Sequence, residues 1–247
     1  MLARCLHELT SIRRDAVEAF QYLTRWLSAF MPQVAIGLAL SLVAIWMLHP
    51  WDELMMERAA EFRKDVPQAT LIARWLSYVG DFLGFNVVLF VILRVAGRTL
   101  GSQRLARLAV ASLLCACMAG AAANLSRTLM GRPRPSTPLP DGLYGPSLHS
   151  SMHALPSAHA ATAFGGALPA MMVDPRLGAP LTLFAASVGW SRMQLNRHHL
   201  TDVLVSLVLA LSFSLPLSHW ALQRRLPSRK AAPSMPPHEL APSRQSL

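Results

Sequence analysis

Apolar residues fall into six runs, at positions 34–48, 75–95, 108–125, 159–173, 177–190 and 200 to about 217, and the segments between them collect most of the charge, proline and glycine. A membrane-spanning helix needs roughly 20 apolar residues at about 1.5 Å each. The first run can borrow flanking residues, whereas the fourth and fifth are short enough that their polar ends dip below the headgroups. Ahead of the first run, Leu6, Leu9, Ile12, Val17, Phe20, Leu23 and Leu27 recur at helical spacing. They predict an amphipathic helix over 1–32, lying on the membrane surface or packed on the bundle. Glu8, Asp15 and Glu18 interrupt any signal-peptide core there. Residues 50–74 read as an extramembrane linker with an amphipathic helix, and 131–156, rich in Pro, Gly and Ser, as a loop. The pattern predicts an all-α integral membrane protein, with a six-helix bundle over 33–222 and a basic, Pro/Ser-rich, disordered tail over 223–247.

Composition agrees. Hydrophobic residues make up 53% of the chain and charged residues 15%, well below the roughly one quarter charged in soluble domains. The net charge of +10 reads as topological, because no basic stripe interleaves with aromatics as nucleic-acid binding would require. Arg94, Arg98, Arg104 and Arg107 lie between the second and third runs, and Arg224, Arg225, Arg229, Lys230 and Arg244 in the tail. If both groups are cytoplasmic, six spans put both termini inside. The loop 131–156, the start of the fourth run and the junction 191–199 then share the opposite face. Cys115 and Cys117, two apart on an apolar helix, point in different directions, and Cys5 has no evident partner, so neither a disulfide framework nor a zinc pattern is present.

Three polar clusters converge on that face: Arg127 and Arg134-Pro135; Pro156-Ser157-Ala158-His159; and Ser191-Arg192, His198 and Asp202. Guanidinium forks match phosphate oxygens. His198 and Asp202, four apart, share a helix face, so a carboxylate can hold the Nδ1 proton and leave Nε2 free to attack phosphorus. His199, three residues from Asp202, competes for that role. His159 opens a helix whose N-terminus suits an anion. Arg132 and Arg197 fit snorkelling anchors at the interface better than ligands. Asp81, inside the second run beside Gly80 and Gly84, reads equally as a functional group or a hydrated spot. His149 and His153 lack a third metal ligand.

These residues form R-x6-RP, PSAH and SR-x5-H-x3-D within positions 127–202. In order and spacing they resemble the signature of the type 2 phosphatidic-acid phosphatase superfamily, normally K-x6-RP, PSGH and SR-x5-H-x3-D. Arg127 stands where the family has Lys, and Ala158 where it has Gly. The register of the resemblance selects His198 as nucleophile. It implies a phosphohistidine on His198, with Asp202 orienting it and His159 protonating the leaving oxygen. Arg127, Arg134, Ser157, Ala158 and Arg192 would hold phosphoryl oxygens, with no cofactor and no metal. It further implies a bacterial inner-membrane enzyme acting on a lipid phosphate among membrane lipids, such as undecaprenyl diphosphate, phosphatidylglycerol phosphate, phosphatidic acid or a lipid A phosphate. A lipid phosphotransferase would use the same residues. An inactive lipid-phosphate binding or transport protein is the alternative from another class, opposed by the presence of His159, His198 and Asp202 together. A soluble vanadate haloperoxidase shares the site type but not six apolar runs.

Overall fold

The computed structural model describes residues 2–223; beyond Gln223 the expected tail lies outside the described residues. Within them, eight α-helices are joined by short turns and one long loop: α1 (Leu2–Met47), α2 (Pro50–Asp65), α3 (Gln68–Val79), α4 (Val88–Thr99), α5 (Gln103–Met130), α6 (Ala158–Val173), α7 (Pro175–Gln194) and α8 (Leu200–Leu222). Two expectations are revised by proline and glycine. The amphipathic N-terminal segment and the first apolar run form one bent helix, α1, whose backbone leaves helical geometry only at Phe30 (φ −114°, ψ 15°). Pro32 lies two residues on and cannot accommodate the carbonyl one turn back, so the helix bends there instead of ending. The second run is interrupted: α3 stops at Gly80, Asp81 is extended, and a π-helical turn (Phe82–Val87) leads into α4.

Stretches 6–47, 82–99, 103–130 and 200–222 are helical, long and apolar enough to cross a membrane. Helices α6 and α7 coincide with the fourth and fifth runs and fall outside that set. Leu40, Trp46, Leu71, Tyr78, Leu83 and Leu183 point outward and exposed. Such an apolar exterior is stable only when lipid covers it, so the protein is an integral membrane protein.

The centre is built from α5, α6 and α8, and its buried surface is dominated by small residues: Ala109, Ala116, Ala119 and Ala123 on α5, and Ala160, Ala163, Ala167 and Ala170 on α6. Lipid gives no hydrophobic drive for helix association, so close backbone packing has to supply it. Gly165 marks a close backbone approach of α6 to α5, where an added Cβ would sit 2.8 Å from the Ala116 Cα. Helix α4 is tied to the N-terminal helix: Arg94 reaches Glu8 at 3.0 Å and Asp15 at 3.2 Å. Arg107 stacks 4.2 Å over the Trp220 ring.

Candidate active site

Helix α5 ends at Gly131, which is left-handed (φ 57°, ψ 51°). A Cβ there would also meet the Gly145 carbonyl at 1.9 Å, so glycine is required twice over. The chain then turns back and fastens to the end of its own loop: Arg134 N–H donates to Ser151 O (2.8 Å) and Ala154 N–H to Arg132 O (3.0 Å). This pairing lays Arg132 and Arg134 alongside Ser151–Ala154, directly ahead of the Pro156–His159 segment.

Arg127, Arg134 and Arg192 each have a buried Nε with no hydrogen-bond partner among the described residues. Arg192 spends one Nη1 bond on Ser77 Oγ (2.5 Å). Among the described residues, no carboxylate forms a salt bridge with any of the three. Burial, then the nearby charges of Arg197 and Arg127, hold the Arg134 guanidinium below its ordinary pKa. Arg197, expected only to anchor the chain, therefore adds to this positive field. Buried guanidiniums without counter-charge are costly unless an anion joins them.

His198 is buried, with 1% of its surface exposed. Its Nδ1 lies 2.7 Å from the Ala154 carbonyl. A carbonyl only accepts, so the proton sits on Nδ1 and the Nε2 lone pair is free. The bond expected from Asp202 thus comes from the backbone, and the nearer Asp202 oxygen is 3.7 Å away. Burial pushes the His198 pKa down, against the opposing pull of Asp202. His199 is used differently. As N-cap of α8 its N–H donates to Asp202 Oδ2 (2.7 Å), and its Nδ1 lies 3.3 Å from the same oxygen.

Ser157 caps α6, its Oγ accepting from Ala160 N–H (3.4 Å) and keeping its own proton available. The amides of Ala158 and His159 open that helix, where no intrahelical acceptor exists. His159 Nε2 lies 3.7 Å from Asp81 Oδ1. Both line a cleft of about 840 Å³ that also includes Arg74, Ser77, Tyr78 and Leu83. His153 is engaged elsewhere, its Nε2 lying 2.8 Å from Ser147 O.

Arg132 is the residue that sequence reasoning misplaced. It is 3% exposed, not a snorkelling anchor. Its Nε donates to Asp141 Oδ1 (2.8 Å), and its Nη1 to Thr201 Oγ1 (2.8 Å) and Asp202 Oδ1 (2.6 Å). Its Nη2 donates to Asp52 Oδ2 (2.9 Å) and Asp141 Oδ2 (2.5 Å). Burial works against this charge, but Asp141, Asp202 and Asp52 outweigh it and hold the pKa above the ordinary arginine value. Asp52, read from sequence as part of a linker, also takes the Thr201 N–H (2.9 Å). His49, Asp52 and Asp141 bring ligand-type atoms within 4.8 Å of one another. Arg132 Nη2 already bonds both of these carboxylates.

Fold and site together define a class: a helical integral membrane protein with an unpaired cationic pocket beside a histidine free at Nε2. The PAP2 superfamily profile matches residues 108–226, a stretch that contains all three motif clusters. Among solved structures the chain resembles a transmembrane PAP2-type phosphatidylglycerolphosphate phosphatase from Bacillus subtilis, with a TM-score of 0.56 and 16% identity over 78% of this chain and 98% of that one. That likeness extends the shared fold well beyond the profile match. No curated protein matches the sequence.

Proposed function

We propose that the protein is a membrane-embedded phosphatase that hydrolyses a phosphate monoester or diphosphate of a lipid through a phosphohistidine on His198. The observation that carries this is a free His198 Nε2 close to a group of three guanidiniums whose Nε atoms have no partner and which form no salt bridge among the described residues. His198 Nε2 attacks phosphorus and the bond to the leaving oxygen breaks, while His159 gives that oxygen a proton. His159 then takes a proton from water as the water oxygen attacks, the N–P bond breaks, and phosphate leaves. Arg127, Arg134 and Arg192, with Ser157 and the Ala158 amide, stabilise the charge on the pentacoordinate phosphorus. Asp202 offsets positive charge on His198 from 3.7 Å. Arginine charge does the neutralising, so no metal is needed.

Six crossings, with both termini on the arginine-rich side and the site on the other, fit this reading. The exposed apolar side chains of Tyr78 and Leu83 at the cleft support lateral access, with tails in lipid while the headgroup enters. Phosphatidylglycerol phosphate is the first substrate to try, given the solved structure this chain resembles. The test is phosphate release by detergent-purified protein from a panel of lipid phosphates, with EDTA present throughout. Release should persist in EDTA, and His198→Ala should lower it by at least about 10³-fold. Unchanged turnover in that variant would sink the nucleophile assignment. A labelled donor with an acceptor lipid present separates hydrolysis from transfer.

A further inference from the structure

The geometry points to Arg132 as the positioning residue for the nucleophile, holding His198 by two routes at once; this rests on the phosphatase reading above. By the first route, its side chain fixes Asp202 Oδ1 at 2.6 Å, which leaves Oδ2 for the His199 amide and for the field at His198. By the second, its own carbonyl accepts from Ala154 N–H at 3.0 Å, and the Ala154 carbonyl takes the His198 Nδ1 proton at 2.7 Å. Both groups that govern the imidazole are thus attached to one residue. A guanidinium has five N–H donors, and five bonds to Asp52, Asp141, Thr201 and Asp202 consume them. None is left for substrate.

Asp52 is the anchor of the device. It comes from α2, 149 residues from Thr201, yet bonds both the Thr201 amide and its hydroxyl while accepting from Arg132. It therefore ties the helix that follows the first crossing to the start of α8, where His198 and Asp202 sit. A lysine at 132 would keep the charge but not the planar fork, and an ammonium cannot hold four partners in those directions.

The consequence is a split that a merely structural residue would not give. Arg132→Lys should lower kcat by roughly 10²-fold, as small misplacements of reacting groups do. KM and the inhibition constant for inorganic phosphate should stay within about twofold, because uniform binding is untouched. Arg134→Ala should do the reverse for phosphate, weakening its inhibition. Asp52→Asn, which keeps the guanidinium and loosens its anchor, should follow Arg132→Lys in sign with a smaller loss, and it carries the test if Arg132→Lys does not fold. The measurement is steady-state kinetics with phosphate inhibition on full-length protein in detergent, with wild type and His198→Ala alongside. If His198→Ala is inactive while Arg132→Lys and Asp52→Asn turn over at the wild-type rate, the positioning role is overturned and the phosphatase reading stands. Loss of phosphate inhibition in Arg132→Lys, matching Arg134→Ala, would instead make Arg132 a ligand. If wild type releases no phosphate from any lipid, the phosphatase reading itself has failed.

Discussion

Arg132 and Arg134 are two residues apart in one short segment, yet their surroundings are opposite. Arg132 faces three carboxylates and spends every N–H it has. Arg134 faces Arg127 and Arg197, and its buried Nε has no partner among the described residues. Their pKa values move in opposite directions, above the ordinary arginine value for Arg132 and below it for Arg134. A saturated, counter-charged guanidinium holds structure. An unsaturated one surrounded by like charge stores binding energy for an anion that has yet to arrive. Proximity in sequence says nothing about which is which; the count of satisfied donors does.

The contrast breaks first at the two alanine substitutions. Arg132→Ala strands Asp52 and Asp202, each almost fully buried, and removing one partner of a buried ion pair costs about 3–5 kcal/mol. Thermal unfolding in detergent should show this as a large drop in midpoint. Arg134→Ala removes a charge that forms no salt bridge among the described residues and is pressed by Arg127 and Arg197, so the midpoint should hold or rise slightly. Its effect should appear in kcat/KM instead, with a loss of about 10²–10³-fold as for other groups that stabilise transition-state charge. If the two variants lose stability equally, the distinction between them is wrong. A gentler test adds inorganic phosphate: at about 100 times its Kd it should stabilise wild type by about 2.7 kcal/mol, and Arg134→Ala markedly less.

A titration sharpens the same picture at His198, the proposed nucleophile. Burial holds the His198 pKa down, so the folded state resists a proton that the unfolded state accepts near its reference value of about 6.5. The unfolded state then binds more protons below that pH, and His198's contribution makes stability fall as the pH drops through about 6.5. Labelled His198, followed directly by NMR, should remain neutral below that value. A measured pKa at or above it would contradict the burial argument.

The three motif clusters were legible because each is local. R-x6-RP, PSAH and SR-x5-H-x3-D need only a few turns of helix or one tight loop to present their side chains, so spacing carries the information. What was not legible lies across the fold. The partners of Arg132 are 80, 9 and 70 residues away at Asp52, Asp141 and Asp202, and no periodicity links them. The acceptor for His198 is the main chain of Ala154, a group every residue carries and no sequence marks. Helix boundaries failed for a different reason. Pro32 looked like a terminator, but a long helix bends around proline when lipid and neighbouring helices hold both arms. Gly80 and Asp81 stood out inside the second run, but only the fold shows that the helix breaks there and puts the carboxylate beside His159.

The smallest expected effect asks how many carboxylates Arg132 needs. Asp141 differs from Asp52 and Asp202 in standing on the loop with 27% of its side chain exposed. Water screens its attraction, so Asp141→Asn should cost no more than about 1 kcal/mol, and kcat should barely change while Asp52 and Asp202 still grip the guanidinium. Burial raises the Asp141 pKa, but bonding to Arg132 and its charge, with His199 and His49, bring it below the usual carboxylate value. A depressed folded pKa gives stability that is fully present above the unfolded value of about 3.9 and lost as the pH falls through the folded one. The gap between wild type and Asp141→Asn should therefore be constant from about pH 5 to 8 and close only in acid, below about pH 4. A gap that instead closed well above about pH 5 would mean that Arg132 does not hold the Asp141 charge.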